Sequence, residues 1–122
     1  MFRGKAITIS CTDRDRSAAF YRNVLGAVPL PGDGYGCQWY RLGDLVFSIM
    51  PNAETATPAS FPRDAMSLIW LEVDDLAAAR RRLVDAGVRI VDAPAGGPYV
   101  LIADPDGLLI EVWQRDEDAA GG

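Results

Sequence analysis

Apolar and polar residues alternate over Ala6-Ile-Thr-Ile-Ser-Cys11 and again over Leu68-Ile-Trp-Leu-Glu-Val73. A period of two is the signature of a half-buried strand. Each run gives way to helical spacing. Over Arg14–Leu25 the pairs Phe20/Val24 and Tyr21/Leu25 lie four apart, and over Leu76–Ala86 the residues Leu76, Ala79, Leu83 and Ala86 form a stripe. Asp13 and Asp75 stand where helix N-caps are expected, and Gly26 and Gly87 where a C-cap favours positive φ. Three further strands are predicted after each helix: Ala27–Leu30, Gln38–Leu42 and Leu45–Met50, then Val88–Val91, Tyr99–Ala103 and Leu108–Gln114. Turn signals separate them at Pro31-Gly-Asp-Gly34, Gly43-Asp44, Pro94-Ala-Gly-Gly97 and Asp104-Pro-Asp-Gly107.

The pattern is βαβββ, repeated after roughly sixty residues. It predicts an α+β domain filling residues 1–122, with module one over 5–50, a Pro/Ala/Thr-rich linker over 51–66, module two over 67–114, and a polar tail over 115–122 that frays. The arginines at 14, 16, 22 and 80–82 fall off the apolar stripes and read as a solvated helix face.

Composition narrows the function classes. The chain is 49% hydrophobic and 24% charged, ordinary for a globular domain. No apolar run reaches the roughly 20 residues of a membrane span. The first residues run straight into a strand with no signal-peptide core, so the expected location is cytoplasmic. A net charge of −5 repels phosphate backbones and argues against nucleic acid, while attracting cations. Cys11 and Cys37 have neither metal nor redox spacing and read as buried reduced thiols.

Two βαβββ modules, carrying Ser17-Ala-Ala-Phe-Tyr-Arg-Asn-Val-Leu-Gly26 in the first and Asp104-Pro-Asp-Gly107 with Ile110-Glu-Val-Trp113 in the second, resemble the vicinal oxygen chelate superfamily of glyoxalases, bleomycin-resistance proteins and extradiol dioxygenases. The resemblance runs from about Ala6 to Gln114. It implies curved mixed sheets forming half-barrels, with the helices outside, a ligand cleft inside and a homodimer. Metal-dependent members carry ligands on the first and last strands of each module, which fall here on Ala6, Ser48, Leu68 and Glu111. Only Glu111 matches the usual His, Glu or Gln, and the chain contains no histidine. One carboxylate does not hold a catalytic metal, which takes about three protein ligands. The expectation is therefore no metal and no other cofactor, with Glu72 the one nearby carboxylate that bears on it.

Strand parity then assigns a lining to the cleft. Ile7, Ile9 and Cys11 are expected under the helices. Ala6, Thr8 and Ser10 face inward with Val46, Ser48 and Met50, with Leu68, Trp70 and Glu72, and with Leu109, Glu111 and Trp113. Trp39 or Tyr40, and Tyr99, are candidates whose face parity leaves open. The candidate ligand-binding set is Thr8, Ser10, Trp39, Ser48, Met50, Leu68, Trp70, Tyr99, Glu111 and Trp113. Aromatic faces beside a carboxylate suit a flat or cationic ligand.

The first expectation is thus a metal-free protein that sequesters or carries a small aromatic or cationic compound, similar to the bleomycin-resistance branch and to antibiotic resistance by binding. The alternatives are a metal-independent isomerase, cyclase or lyase with Glu111 as catalytic base, a metal-dependent glyoxalase or dioxygenase using Glu111 and Glu72, and a structural dimer whose cleft is filled by its own side chains. Trp70 and Trp113 as core or interface, and Glu111 as a relic paired with an arginine such as Arg41, are the corresponding bland readings of the same residues.

Overall fold

A computed structural model describes residues 1–34, 36–50 and 67–116. The linker expected over 51–66 lies outside the described residues, as does the tail beyond Asp116. Contacts divide the chain into two units, Met1–Ala56 and Thr57–Gly122. Both have the predicted βαβββ order and are mixed α+β sheets.

The first unit contains β1 (Ile7–Ser10), α1 (Arg14–Ala19, passing into a π-helical turn over Phe20–Val24), β2 (Val28–Leu30), β3 (Gln38–Leu42) and β4 (Leu45–Met50). Its sheet order is β1-β4-β3-β2, with β1 parallel to β4 and the other pairs antiparallel. The second unit contains β5 (Ile69–Val73), α2 (Leu76–Asp85), β6 (Arg89–Asp92), β7 (Tyr99–Ala103) and β8 (Leu109–Gln114). The order repeats as β5-β8-β7-β6, again with one parallel pair, β5 and β8. In each unit the last strand is central and the first strand is an edge.

The helix ends follow the caps. Asp13 accepts from the Arg16 N–H and Asp75 from the Ala78 N–H, both at 3.0 Å. Each cap satisfies a backbone donor with no intrahelical partner, an effect of about 1 kcal/mol. At the end of α2, Val88 N–H donates to Leu83 O and Gly87 N–H to Val84 O, with Gly87 at φ 73°. This is a Schellman closure, and a Cβ at Gly87 would be strained. At the end of α1 the closing bond runs from Ala27 N–H to Tyr21 O, one residue longer than its counterpart, because Leu25 N–H already reaches back to Phe20 O. The π turn absorbs that extra residue, so the helix predicted through Leu25 is α-helical only to Ala19.

Each core lies chiefly on one face of its sheet. In the first unit Phe20, Tyr21, Tyr40 and Phe47 are buried and their rings meet in sequence. Phe20–Tyr21 is edge-on at 4.9 Å, Tyr21–Phe47 tilted at 5.1 Å and Tyr40–Phe47 stacked at 5.6 Å. Ile7, expected under the helix, is instead 54% exposed, because β1 is an edge strand; Cys11, further along it, is buried. Cys37 is only half-buried, so the pair of buried thiols reduces to one. In the second unit Ile69, Val100, Ile102, Ile110 and Val112 are buried on one face, and α2 packs against β7 and β8 with Leu83 buried. Each large aliphatic side chain so buried contributes about 1.5–3 kcal/mol. At the start of the expected tail, Arg115 N–H continues the parallel ladder to Val73 O. Gln114 joins β8 to the start of α2, accepting from Leu76 N–H and donating to Asp74 O.

Candidate functional site

The other face of the second sheet is a lattice of three rungs, fixed by strand register. Glu72 stands opposite Trp113, and Trp113 opposite Tyr99. One step along, Trp70 stands opposite Glu111, and Glu111 opposite Leu101. The third rung holds Leu109 and Ala103. Leu101, Ala103 and Leu109 are buried there, with Leu68, Val91 and Tyr99 packed against them. The face therefore grades from an apolar floor to an aromatic and acidic end. Of the predicted ligand-binding residues, Leu68, Trp70, Tyr99, Glu111 and Trp113 come together on it.

Three rings form a continuous stack. Trp113 lies 4.9 Å from Tyr99 at 30° and 5.1 Å from Trp70 at 31°. Since β8 runs between β5 and β7, Trp70 and Tyr99 approach Trp113 from opposite sides. Trp113 is thus the middle ring of the three and is half-buried between its neighbours. Its Nε1–H donates to Glu111 Oε2 at 3.0 Å. Tyr99 is held in turn by its hydroxyl, which donates to Asp92 Oδ2 at 3.2 Å. Burial first, and then the Asp92 carboxylate, push the Tyr99 phenol above its ordinary value of 10.0. Trp70, on the edge strand, is 62% exposed. Its outer face is the open aromatic surface. Glu111 is half-buried and, among the described residues, has Trp113 as its partner. Where the relic reading named an arginine such as Arg41, the contact within this unit is the Trp113 indole.

In the first unit, Thr8, Trp39 and Ser48 share a rung: Thr8 stands opposite Ser48, and Ser48 opposite Trp39. Ser48 is buried and its hydroxyl lies 2.8 Å from that of Thr8. Trp39 donates through Nε1 to Asp33 Oδ2 at 2.8 Å, with the Lys5 ammonium 5.7 Å from its ring centre. Tyr40 takes the opposite face, stacked on Phe47, which settles the choice that parity left open. Burial raises the Tyr40 phenol above 10.0, against the pull of the Arg22 and Arg14 charges. Ser10 and Met50 are paired at the exposed ends of β1 and β4.

The donor set does not fit a divalent metal. Ala6 and Leu68 offer no donor, and the Ser48 hydroxyl is committed to Thr8. Among the described residues no group of three or more His, Cys, Asp or Glu is placed to hold a metal ion. No helix among them is long and apolar enough to cross a membrane.

Residues 5–112 match the family model described as Glyoxalase/Bleomycin resistance protein/Dioxygenase superfamily. The chain belongs to this superfamily. Among curated relatives of this superfamily member, an ethylmalonyl-CoA/methylmalonyl-CoA epimerase of Cereibacter sphaeroides is 32% identical over 126 aligned positions, covering 88% of this chain and 94% of the relative. The mitochondrial methylmalonyl-CoA epimerase of Bos taurus is 28% identical, covering 88% and 71%. Among solved structures, the fosfomycin resistance protein FosX of Listeria monocytogenes has a TM-score of 0.76 at 16% identity, covering 98% of this chain and 97% of that one. At that identity the likeness is one of fold.

Sequence reasoning named most of the aromatic end but missed two of its parts, and one contact in the first unit. Asp92 as the anchor of Tyr99 was hidden by the register shift between Ile90 and Asp92. Leu101 beside Glu111, and Asp33 on Trp39, depend on a cross-strand register and a loop course that periodicity alone does not supply.

Proposed function

We propose that this superfamily member is a metal-independent enzyme of proton transfer at carbon, with Glu111 as the base and the substrate seated against Trp70. The observation that carries the reading is the Glu111 carboxylate, fixed by the Trp113 indole at the border between an apolar floor and an exposed aromatic face. One oxygen is held, and the other is left for a carbon acid. In the forward step the C–H bond breaks, its proton passes to Glu111 and its electron pair stays on the substrate as an enolate. Return of a proton from Glu111 to the same face gives exchange with solvent hydrogen, and delivery of a solvent proton to the opposite face gives inversion, with Glu111 then losing its proton to water. The relatives' names support this class, since epimerisation inverts one stereocentre. A half-buried carboxylate beside apolar side chains suits general base work. The expectation of a pure binding protein is weakened by those enzyme names.

The test is deuterium uptake from D2O, followed by proton NMR in the presence of EDTA. The probes are methylmalonyl-CoA, N-acetylphenylglycine methyl ester and phenylglycine methyl ester, which carry negative, no and positive charge. Protein-dependent exchange of at least one α-proton, undiminished by EDTA and lost in Glu111→Gln, is expected. No exchange above that of the variant, or exchange that EDTA removes, overturns the reading.

A second reading, sequestration of a small molecule without turnover, is favoured by the exposed ring of Trp70 on the stack. It predicts ligand-dependent quenching of Trp fluorescence with no exchange. A homodimer and a cytoplasmic location are proposals of the same standing, tested by sedimentation and by fractionation.

A further inference from the structure

We infer that the ligand seated on Trp70 is a planar cation, an amidinium, guanidinium or protonated heteroaromatic group. This rests on the proposed site and adds its charge specificity. Of the three rings Trp70 is the most exposed, at 62%, and only the face turned to Trp113 is engaged within the stack. Trp70 lies between two carboxylates on the same face: Glu111 directly across on β8, and Glu72 two residues along β5. Asp92 adds a third negative charge behind Tyr99. Among the described residues of this unit, the two cations at the ends of the face stand apart from Trp70, Arg89 being on β6, three strands from β5. Arg89 stands opposite Ala103, beside the apolar floor, and Arg115 is ion-paired with Asp74.

An indole face attracts a cation through its quadrupole, and a planar cation also stacks on it. The two flanking carboxylates accept from N–H groups at the rim of such a plane, as carboxylates do from guanidinium forks. An anionic ligand is repelled by the same two carboxylates beside Trp70. Charge complementarity therefore selects one occupant for this apolar face. A positive charge held beside the reacting carbon also acidifies its C–H bond, which is the electrostatic help that a carbon acid needs.

The experiment compares benzamidinium, benzamide and benzoate, which share a shape and differ in charge. Binding is read by quenching of Trp fluorescence and by calorimetry. Benzamidinium is expected to bind roughly 10-fold or more tightly than benzamide, by the cation–π and carboxylate contributions together. Benzoate is expected to bind weakest. Trp70→Leu, at an exposed position where folding is spared, should remove most of the affinity, and Glu72→Gln should reduce the charge preference alone. Equal binding of all three, tighter binding of benzoate, or an unchanged affinity in Trp70→Leu overturns the inference. The outcomes separate from those of the exchange test. Exchange without a charge preference leaves the enzyme reading standing and removes this one, while a charge preference without exchange does the reverse.

Discussion

Thr8 and Ser48 form a hydrogen bond whose two ends are unequal, and the inequality is measurable. The hydroxyls are 2.8 Å apart, but Ser48 is 1% exposed and Thr8 lies on the exposed edge strand. Thr8→Val keeps the shape and the strand preference of the residue while removing its hydroxyl. It strands the Ser48 hydroxyl away from both partner and water, which costs about 1–3 kcal/mol. Ser48→Ala leaves Thr8 free to turn to solvent, so only the net value of one bond is lost, about 0.5–1 kcal/mol. In the double variant no orphan remains, and its cost should match that of Ser48→Ala alone. The coupling between the two sites then equals the cost of Thr8→Val, about 1–3 kcal/mol, in the direction that makes the double variant better than additive. Urea unfolding with unchanged slope reads this as a midpoint shift of about 1 M for Thr8→Val. Equal costs for the two single variants, or simple additivity, would refute the argument that Ser48 is satisfied by Thr8 alone. The same bond bears on the site, because it occupies the one hydroxyl that stands at a metal-ligand position of the superfamily.

Other outcomes follow from the same geometry. Millimolar Mn2+, Co2+ or Zn2+ should leave the thermal midpoint unmoved, since a ligand specific for the folded state stabilises it by RT ln(1 + [L]/Kd); a rise that tracks metal concentration would contradict the donor-set argument. Trp113→Phe keeps a ring in the stack but removes the donor to Glu111 Oε2; exchange activity should fall roughly 10-fold or more, with substrate affinity little changed, and a change in affinity alone would count against a positioning role. Leu101→Ala, at a fully buried position, should cost about 2–5 kcal/mol in chemical denaturation. Tyr40 has its folded-state value raised above 10.0 by burial, so the folded state keeps that proton longer. Its contribution is then fully present below pH 10 and is lost as pH rises through the folded value. Stability should fall in that window, and less steeply in Tyr40→Phe; a fall that is unchanged by the substitution would assign it to other groups.

Local signals carried most of the fold. Gln38–Leu42, Leu45–Met50 and Tyr99–Ala103 were readable because turn residues bound each run, and the structure keeps those limits. Asp13, Asp75 and Gly87 were readable because cap chemistry is set within a few residues of chain. The π turn at Phe20 was not, since the pairs Phe20/Val24 and Tyr21/Leu25 fit an unbroken helix and only the tertiary burial of both rings distinguishes the alternatives. Parity placed Trp70, Glu111 and Trp113 together correctly, because alternation is a property of the strand itself. It could not reveal that Trp113 is flanked by a ring from each neighbouring strand, which depends on β8 being central, nor that Trp70 is exposed, which depends on β5 being an edge. The sequence identifies what a strand presents to each face, while neighbour identity follows from sheet order, and sheet order is a matter of non-local pairing.

A carbon acid is deprotonated readily only when the negative charge left behind is stabilised. Superfamily members with a metal have that charge available at the ligand positions, and here those positions in the second unit offer Leu68 and Glu111. The groups around Trp70 on that face are acidic, so they stabilise a developing anion poorly. If Glu111 is a base, the compensating positive charge therefore arrives with the substrate. That requirement and the open indole face point to the same ligand class independently, one from the chemistry of the step and the other from the geometry of the stack. The ammonium probe phenylglycine methyl ester should accordingly exchange faster than its N-acetyl form by more than their difference in free solution. An excess that vanishes in Glu72→Gln while Glu111 is intact would locate the selectivity in the flanking carboxylate and the chemistry in its neighbour. Equal enhancement of the two esters would mean that the acidic end merely keeps the protein soluble.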